Sequence, residues 1–598
     1  MNHSSSIQQN PFSVYTPEIL SPNEIVELFV PYPEFKKLEV TGHQFLDGHR
    51  GSGKSMMLRM MCPDCQTIIH GEMLSEIPYF GVYIPIKSTT INNPEYLRLE
   101  DELGGSVLSE SLLAIVFLSH FFQSINNSAI DFIEKNNLTD TLKKIVNNPI
   151  KNIFSYAGIS NNSFNEDCNS PKDILNHLIK TIDGVFAETT RYVKLRALTT
   201  QITPFSGAIL GFQDTLLPIV SEFIDSGIIP NIPVYFLLDD ADNLSLLQTK
   251  VLNTWVSYRS TNKVSLKIST QLNYKTYETI SSIRIQSPHD FSRIEFTTNR
   301  TGSQKDDYFG FLKQIVERRL RKYGINKSAE EFFVNDVKQD LEIQKIADSI
   351  NDNYKTIGRG FRANDDIYRY ARPEYIRMLN EKKRANDYSY SGFRQLVHIS
   401  TGIVRFFLEP ASSMFAEQQK TTNLVESISP TIQDRIIREE ATKLLTSFEN
   451  LNNEEPENNY RLSRTEQLSN LIHGLGEIFK MHILDESESQ RRLDSFTISG
   501  QITPELKEVL KLGVTHGYFY TDLRGARDGL GRETRYVLTR RLAPMFHLDP
   551  NGYSGDKSLP SEVLIALLTN RKAFTNKLKR NGTSILIQSD LPLFKENE

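Results

Sequence analysis

The sequence has little cysteine, no dominant charge sign and no long unbroken apolar run. Only 3 of its 598 residues are cysteine, too few for a disulfide framework, which indicates a reducing compartment. A net charge of −5 excludes an overall positive field, so any nucleic-acid contact must come from a local patch. The polar N-terminus lacks the apolar core of a signal peptide. These absences predict a cytoplasmic protein.

Two sequence features resemble a zinc site and a membrane span, but each lacks a part that such a site or span requires. Cys62 and Cys65 form a C-x-x-C motif, but a zinc ribbon needs a second pair that Cys168 alone cannot complete. The longest apolar stretch, residues 107–122, is interrupted by serine, glutamate and histidine and is too short to span a bilayer. It predicts a buried core helix, and no membrane partner is expected.

The first half of the chain alternates apolar runs with helical patterns. Continuous runs of β-branched and aromatic residues are typical of strands buried on both faces, as in a parallel sheet. The predicted strands end at Leu46 or span residues 80–86, 232–238, 264–269 and 294–296. Together they predict an α/β layer whose crossovers include a helical insertion.

The second half is mainly helical until an acidic, asparagine-rich stretch at residues 450–459. Beyond it, the pattern predicts a helix at 464–480, a short strand at 495–499, a helix at 504–515 and a hairpin of strands at 518–522 and 534–539, the order of a winged helix-turn-helix domain. The predicted division is a disordered tail at 1–20, a core at 21–300 with the insertion near 96–225, a helical region at 301–450, the winged helix at 451–550 and a helical C-terminal segment at 551–598.

A glycine-rich loop carries the clearest chemical signal. Residues 48–55 match G-x-x-x-x-G-K-[ST] between a predicted strand and a predicted helix, so backbone N–H groups can converge on one anion. Lys54 would reach the β- and γ-phosphates and Ser55 would coordinate Mg²⁺, which predicts ATP and Mg²⁺ as cofactors. The predicted nucleotide-binding residues are Gly48, His49, Arg50, Gly51, Ser52, Gly53, Lys54, Ser55 and Met56.

The acidic partner of this loop is expected at the end of a buried strand. Asp239 would hold Mg²⁺, and Asp240 stands where many ATPases place the glutamate that polarises the attacking water. The alternative is a solvated acidic turn in which Asp242 caps the next helix.

The next strand ends in Ser269, Thr270 and Gln271, any of which could orient water against the γ-phosphate. Thr270 and Ser269 are the favoured candidates. An ordinary turn would also need polar residues there.

Several stretches resemble the bacterial AAA+ ATPases related to origin-recognition and replication-initiator proteins. They are HQFLDGHRGSGKSMMLRMM, GVYIPIK, VYFLLDDADNLS, TKVLNTWVSYRS, VSLKISTQ and SPHDFSRIEF, and they cover about the first 300 residues. The resemblance implies a P-loop AAA+ core, a helical lid and a C-terminal winged helix. It also implies a lid arginine, for which Arg405 is the candidate, and a homo-oligomer in which Arg259 or Arg284 acts on a neighbouring subunit.

The C-terminal domain has two alternative uses. Its recognition helix would be residues 504–515, where Lys507 and Lys511 share the helix with Glu505 and Glu508. The wing could grip DNA phosphates, or the domain could make protein contacts alone. The basic residues around the wing are Arg524, Arg527, Arg532, Arg535, Arg540 and Arg541.

A second basic stretch, residues 359–384, interleaves arginine and lysine with aromatic residues and could bind nucleic acid or pair with acidic neighbours.

Two hypotheses for function follow. In the first, the chain is an ATP-hydrolysing switch that couples nucleotide state to nucleic acid, and the resemblance adds an antiphage or mobile-element setting. In the second, it is a nucleotide-binding scaffold with little turnover that controls an effector protein. Asp240 in place of glutamate and the near-neutral charge favour the second.

Overall fold

The computed structural model describes residues 8–32, 34–71, 73–89, 91, 103–160, 169–198, 204–258, 262–272, 274–296, 304–357, 362–447, 462–485, 491–525, 531–551 and 555–581. They fall into two units. The first is Tyr15–Phe296, and the second joins Met1–Val14 to Thr297–Glu598.

The first unit is built on a five-stranded parallel sheet with the order β2-β3-β4-β1-β5. The β1, β3 and β4 strands are buried throughout, and burial on both faces explains the continuous apolar run VYFLL of β3. The strands are β1 Gln44–Gly48, β2 Phe80–Pro85, β3 Val234–Asp239, β4 Val264–Thr270 and β5 Ser292–Phe296. The predicted parallel sheet is confirmed, and β4 lies beside the acidic strand β3 as expected.

Helices cover this sheet and fill the long connection between β2 and β3. They are α1 Pro22–Leu28, α2 Phe35–Leu38, α3 Lys54–Met60, α4 Pro63–His70, α5 Leu103–Ser128, α6 Ile130–Lys135, α7 Thr139–Ile145, α8 Lys151–Tyr156, α9 Pro171–Leu198, α10 Leu217–Asp225 and α11 Leu246–Ser257. Helix α3 begins directly after the glycine-rich loop, so this loop is the short connection between the end of β1 and the start of α3.

Helix α5 is the hydrophobic centre of the insertion. It is long and apolar enough to cross a membrane by length and composition, yet 72% of its most apolar window is buried inside the protein. Phe117 and Phe121 on α5 contact Phe236 of β3, and Phe117 also meets Trp255 of α11 edge-on. This helix therefore packs the insertion onto the sheet, in agreement with the predicted core helix.

The second unit combines a helical region with a small C-terminal sheet. Its helices are α12 Gln304–Lys322, α13 Ala329–Phe332, α14 Val337–Ile357, α15 Ala363–Glu381, α16 Phe393–Ile399, α17 Val404–Gln419, α18 Pro430–Thr446, α19 Arg464–Leu484, α20 Pro504–Thr515, α21 Ala543–Phe546 and α22 Ser561–Asn581. Its strands are β6 Leu493–Ser499, β7 Phe519–Gly525, β8 Arg532–Leu538 and β9 Gly555–Pro560, in the order β7-β8-β6-β9. Antiparallel β7 and β8 form the wing of a winged-helix domain.

Strand β6 lies between α19 and α20, where the residue pattern predicts a short strand at 495–499. One part of the C-terminal prediction needs correction. The segment after residue 550, predicted to be helical, begins with β9, which pairs parallel with β6. β9 is an edge strand with only two buried residues, and so its sequence lacks the apolar run by which strands were recognised.

The N-terminal tail also differs from its prediction from Gln8 onwards. Phe12 is fully buried, with its ring 5.7 and 5.5 Å from the rings of Phe332 and Phe333. The Asn10 side chain donates to the Ser412 carbonyl at 2.9 Å. One buried aromatic ring thus anchors a polar segment whose composition alone predicts disorder.

Candidate nucleotide-binding site

The glycine-rich loop leaves β1 in a conformation that only small residues accept. Gly51 and Gly53 have φ values of 85° and 101°, in the left-handed region that favours glycine. A Cβ atom on Gly48 would lie 2.8 Å from Cβ of Phe296. Within the loop, Arg50 is exposed and Ser52 is buried, and the Ser52 N–H donates to the His49 carbonyl at 3.3 Å.

Lys54 begins α3, and its ammonium is folded into the loop. Its Nζ donates to the carbonyls of Gly48 at 2.7 Å and of His49 at 3.1 Å, and the residue is only 6% exposed. Burial lowers the Lys54 pKa, an effect opposed by the carboxylates of Asp239, Asp240, Asp242 and Asp47. A buried cation therefore faces a group of carboxylates at the carboxyl edge of the sheet.

Both oxygens of Asp239 are already engaged. Its Oδ2 accepts from the Tyr83 hydroxyl at 2.8 Å, and its Oδ1 accepts from the Asp240 N–H at 3.0 Å. Asp240 adopts a left-handed conformation with φ of 54°. Its pKa is raised by burial and by the charges of Asp239 and Asp242, although Lys54 and Arg50 act in the opposite direction. This strand end concentrates negative charge that a cation would relieve.

The end of β4 connects the loop strand to the acidic strand. The Thr270 hydroxyl donates to Asp47 Oδ1 at 2.7 Å, and the Arg293 guanidinium lies 2.9 Å from Asp47 Oδ2. Burial raises the Asp47 pKa, while Thr270 and Arg293 lower it. The Gln271 side chain donates to Asp242 Oδ2 at 3.0 Å. Within the described residues, the buried Ser269 hydroxyl has no hydrogen-bond partner.

Several of these features fit a magnesium-bound nucleotide. The space beside Gly48 admits no side chain, and the glycines let the loop backbone approach an anion closely. The buried Ser52 hydroxyl has no hydrogen-bond partner in the described part of the chain. The Ser55 hydroxyl and the Asp239 carboxylate are oxygen donors of the kind that Mg²⁺ prefers.

The sequence did not point to Tyr83, Glu18, Asp47 or Arg293. Tyr83 was visible only as one more aromatic residue in a strand, although its position two residues before the end of β2 faces the carboxyl edge. Register explains its contact: Tyr83 pairs with Leu237 and Pro85 with Asp239, so Tyr83 and Asp239 are diagonal neighbours. Glu18 was hidden in the predicted tail.

The arginine candidates have different placements. Arg405 lies in the first turn of α17 in the second unit, 35% exposed and 3.8 Å from Glu409. Arg284 is exposed between β4 and β5 in the first unit. Arg259 lies outside the described residues. Their roles at the nucleotide stay predictions.

The cysteine pair has the environment of an inert structural site. Cys62 and Cys65 are free buried thiols, and burial raises the pKa of Cys62 to about 12 and raises that of Cys65 as well. Among the described residues, no group of three histidine, cysteine or acidic side chains could hold a metal. The incidental reading of the motif stays a prediction.

Most basic residues around the wing are held by neighbouring groups. Arg524 pairs with Glu533 and Asp556, Arg535 with Asp522, and Arg540 with Asp494. Arg541 lies over the Phe406 ring at 4.2 Å. Arg532 is exposed, and Arg527 lies outside the described residues.

The second basic stretch is used in a similar way. Arg377 pairs with Glu374 and Glu381, and Arg384 pairs with Asp387. Tyr368 and Tyr370 face the guanidinium groups of Arg492 and Arg491. These contacts favour the alternative in which the stretch pairs with acidic neighbours within the chain. Arg359 and Phe361 lie outside the described residues.

The parallel sheet, with a glycine-rich loop after β1 and aspartates after β3, defines an α/β P-loop fold of the AAA+ type. The family described as ORC-CDC6-like matches residues 10–559, and the chain belongs to this family. No curated protein sequence matches the chain.

Two solved structures are similar to it. The Orc1 protein of Aeropyrum pernix in complex with DNA is 10% identical, with 91% of this chain and 97% of that chain covered and a TM-score of 0.27. Cdc6p from Pyrobaculum aerophilum is 12% identical, with 96% and 99% covered and a TM-score of 0.29.

Proposed function

We propose that the chain is an ATP-dependent switch that binds ATP with Mg²⁺, hydrolyses it and couples its nucleotide state to the binding of DNA. The observation that carries the nucleotide part is the juxtaposition of a buried ammonium, Lys54, with the carboxylates of Asp239 and Asp240. Such an arrangement suits phosphoryl transfer, in which catalysis consists mostly of positioning and charge stabilisation.

Each site residue has a proposed task. Lys54 exchanges its two carbonyl partners for β- and γ-phosphate oxygens, while Ser55 and Asp239 hold Mg²⁺, which neutralises phosphate charge when bound. Asp240 orients the attacking water, with Thr270 or Ser269 as the sensor beside it. The remaining loop residues, from Gly48 to Met56, surround the phosphates with backbone N–H groups.

Two further arginines complete the proposed nucleotide site. Arg405 of the helical lid is proposed to contact the nucleotide. Arg284 or Arg259 would come from a neighbouring subunit of a homo-oligomer. Cytoplasmic location belongs to the same proposal.

The DNA part of the proposal rests on the family and on the surface of α20. The Arg464 guanidinium lies 2.7 Å from Glu505 and 3.0 Å from Glu508, so its one positive charge offsets half of the negative charge of this helix. Lys507 and Lys511 on the same helix are exposed. The helix therefore presents positive charge, and a phosphate backbone is a suitable ligand for it.

Two measurements test this proposal. ATP turnover should rise on addition of duplex DNA and vanish in Lys54→Ala. Filter binding of labelled duplex across a salt series should give a steep negative slope that depends on ATP, because phosphate contacts release counterions. Wild-type protein that fails to retain ATP at millimolar concentration with Mg²⁺ would refute the nucleotide assignment.

A regulatory scaffold with little turnover is the second candidate. It is favoured by the ion pairs of Arg524, Arg535 and Arg540, which occupy groups that DNA phosphates would otherwise contact. The aspartate at position 240 is also shorter than the glutamate usual for water activation. Tight ATP binding with no turnover, with or without DNA, would select this candidate and an effector protein as the partner.

A further inference from the structure

The Tyr83 hydroxyl lies between two carboxylates. It is 2.8 Å from Asp239 Oδ2 and 2.9 Å from Glu18 Oε1, and both distances are those of a strong hydrogen bond. A phenol has one proton to donate, whereas two ionised carboxylates can only accept. One of the two contacts is therefore always without its proton, and the hydroxyl must choose between its acceptors.

The surrounding fold holds this arrangement in place. Glu18 lies in the one-turn 3-10 segment Pro17–Ile19, which packs against α3, the helix that carries Lys54 and Ser55. The Arg59 guanidinium of α3 lies 5.9 Å from the centre of the Tyr83 ring. Burial, together with the charges of Asp239 and Glu18, raises the Tyr83 pKa well above its usual value, so the phenol keeps its proton.

A metal ion on Asp239 Oδ2 would compete with the Tyr83 hydroxyl for that oxygen. If the hydroxyl had no other partner, loading the metal would leave a half-buried donor unsatisfied, which carries a free-energy cost. Glu18 supplies that partner within hydrogen-bond distance, so the proton can turn from Asp239 to Glu18 without movement of the backbone.

We propose that the Tyr83 hydroxyl holds Asp239 in the metal-free state and that Glu18 is the replacement acceptor that receives this hydroxyl when Mg²⁺ occupies Asp239. The inference rests on the proposed function, since it assigns Asp239 to the metal. By linkage, the metal-loaded state also strengthens the bond between Tyr83 and the Pro17–Ile19 segment.

The test compares Glu18→Ala with Glu18→Gln. Binding of a fluorescent ATP analogue is measured at increasing free Mg²⁺, and binding of Mn²⁺ is followed by its electron paramagnetic resonance signal. Glu18→Ala should raise the half-saturating metal concentration roughly 5-fold, as expected for a hydroxyl left without an acceptor. Glu18→Gln, whose amide oxygen still accepts, should restore it to within about 2-fold of wild type.

Tyr83→Phe removes the bond to Asp239 in the metal-free state and the bond to Glu18 in the metal-loaded state, so it should change the half-saturating metal concentration by less than about 3-fold. In the Tyr83→Phe background, Glu18→Ala should change the half-saturating metal concentration by less than about 2-fold, because Glu18 acts through the Tyr83 hydroxyl. Equal effects of Glu18→Ala in both backgrounds would overturn the proposal, as would an unchanged half-saturation in Glu18→Ala.

Glu39→Ala is the matched control. Glu39 accepts from the Tyr79 hydroxyl at 3.3 Å, a similar tyrosine–carboxylate contact just before β2 and remote from Asp239. This variant should leave metal binding unchanged, and a shift like that of Glu18→Ala would contradict the proposal. ATP binding by wild type separates the two hypotheses: its absence defeats the proposed function, whereas its presence with an unaffected Glu18→Ala defeats only this inference.

Discussion

The charged groups of the P-loop edge and those of the C-terminal wing are compensated in different ways. Lys54 hydrogen-bonds to carbonyls of its own loop, while Asp240, close by, has a pKa raised by burial and like charges. In the wing, Arg524 and Arg535 form ion pairs with carboxylates of the same domain. A bound polyanion with its cation would therefore stabilise the P-loop edge. A ligand of the wing, by contrast, must displace carboxylates that already pair with its arginines.

Loss of the Lys54 ammonium should have the largest effect on the P-loop edge. Lys54→Ala should lower ATP turnover at least about 100-fold and weaken ATP binding about 10-fold or more, because no other buried cation faces the phosphate position among the described loop residues. Turnover and equilibrium binding of a fluorescent ATP analogue measure both effects. Lys263→Ala, which removes a surface ion pair with Asp225, is the control and should leave both unchanged.

Substitution at Gly48 tests whether the loop tolerates any side chain. In Gly48→Ala the added Cβ would lie 2.8 Å from Cβ of Phe296, so the first unit should lose about 1–3 kcal/mol and bind ATP poorly. Urea unfolding followed by the fluorescence of Trp255, the chain's one tryptophan and buried in this unit, measures the loss.

Gly104→Ala is the matched control for Gly48→Ala. A Cβ atom at Gly104, within α5, meets nothing within 4 Å, so this variant should be neutral or slightly stabilising. Equal stability of the two variants would mean that the contact with Phe296 imposes no constraint on the loop.

The sheet could be predicted because the composition of its strands indicates buried β-structure. The run YFLLDD contains both the buried strand β3 and the acidic turn after it, and the predicted strands lie within two residues of those observed. The glycine-rich loop was equally visible, since its glycines are required by backbone conformation at Gly51 and Gly53. The sequence pattern was sufficient to predict these two elements because interactions between neighbouring residues determine their structure.

Contacts between distant segments could not be predicted in this way. Tyr83 meets Asp239 across 156 positions, and Glu18 reaches Tyr83 from a segment that composition marks as disordered. The ion pairs of Arg535 and Arg524 depend on the register of β7 and β8, which places Asp522 opposite Arg535 and Glu533 opposite Arg524. A basic composition indicates available charge, and only tertiary structure shows whether that charge is already used.

Acid should lower the stability of the first unit. Burial lowers the pKa of His43 to about 4, and its Nδ1 accepts the Leu266 N–H at 3.1 Å, which requires the neutral ring. Because the folded pKa lies below the unfolded value of 6.5, this contribution is complete above pH 6.5 and is lost as pH falls towards 4. The shift corresponds to about 3 kcal/mol at most.

Urea unfolding followed by Trp255 fluorescence between pH 4 and 7 measures this loss. His43→Gln keeps a hydrogen-bond acceptor without the titration, so its stability should fall less over that window. His289→Gln, at an exposed position, should behave as wild type. An unchanged pH dependence in His43→Gln would assign the acid sensitivity to other groups.

Substitutions in the wing should have the smallest effects, and they test whether its arginines are already used in ion pairs. Arg535 is 10% exposed and paired with Asp522, so Arg535→Ala should lower domain stability by about 1–3 kcal/mol through the carboxylate left without its partner. Arg532→Ala, at an exposed position on the same strand, should leave stability within about 0.5 kcal/mol of wild type.

For DNA binding the order of the two variants should reverse. Arg532→Ala should reduce the salt slope of duplex binding by up to about one unit, as expected for one phosphate contact, whereas Arg535→Ala in folded protein should change it less. Filter binding and thermal unfolding of the same preparations measure both quantities. A larger loss of slope in Arg535→Ala would show that DNA displaces the internal ion pair, and the distinction between the two regions would then fail.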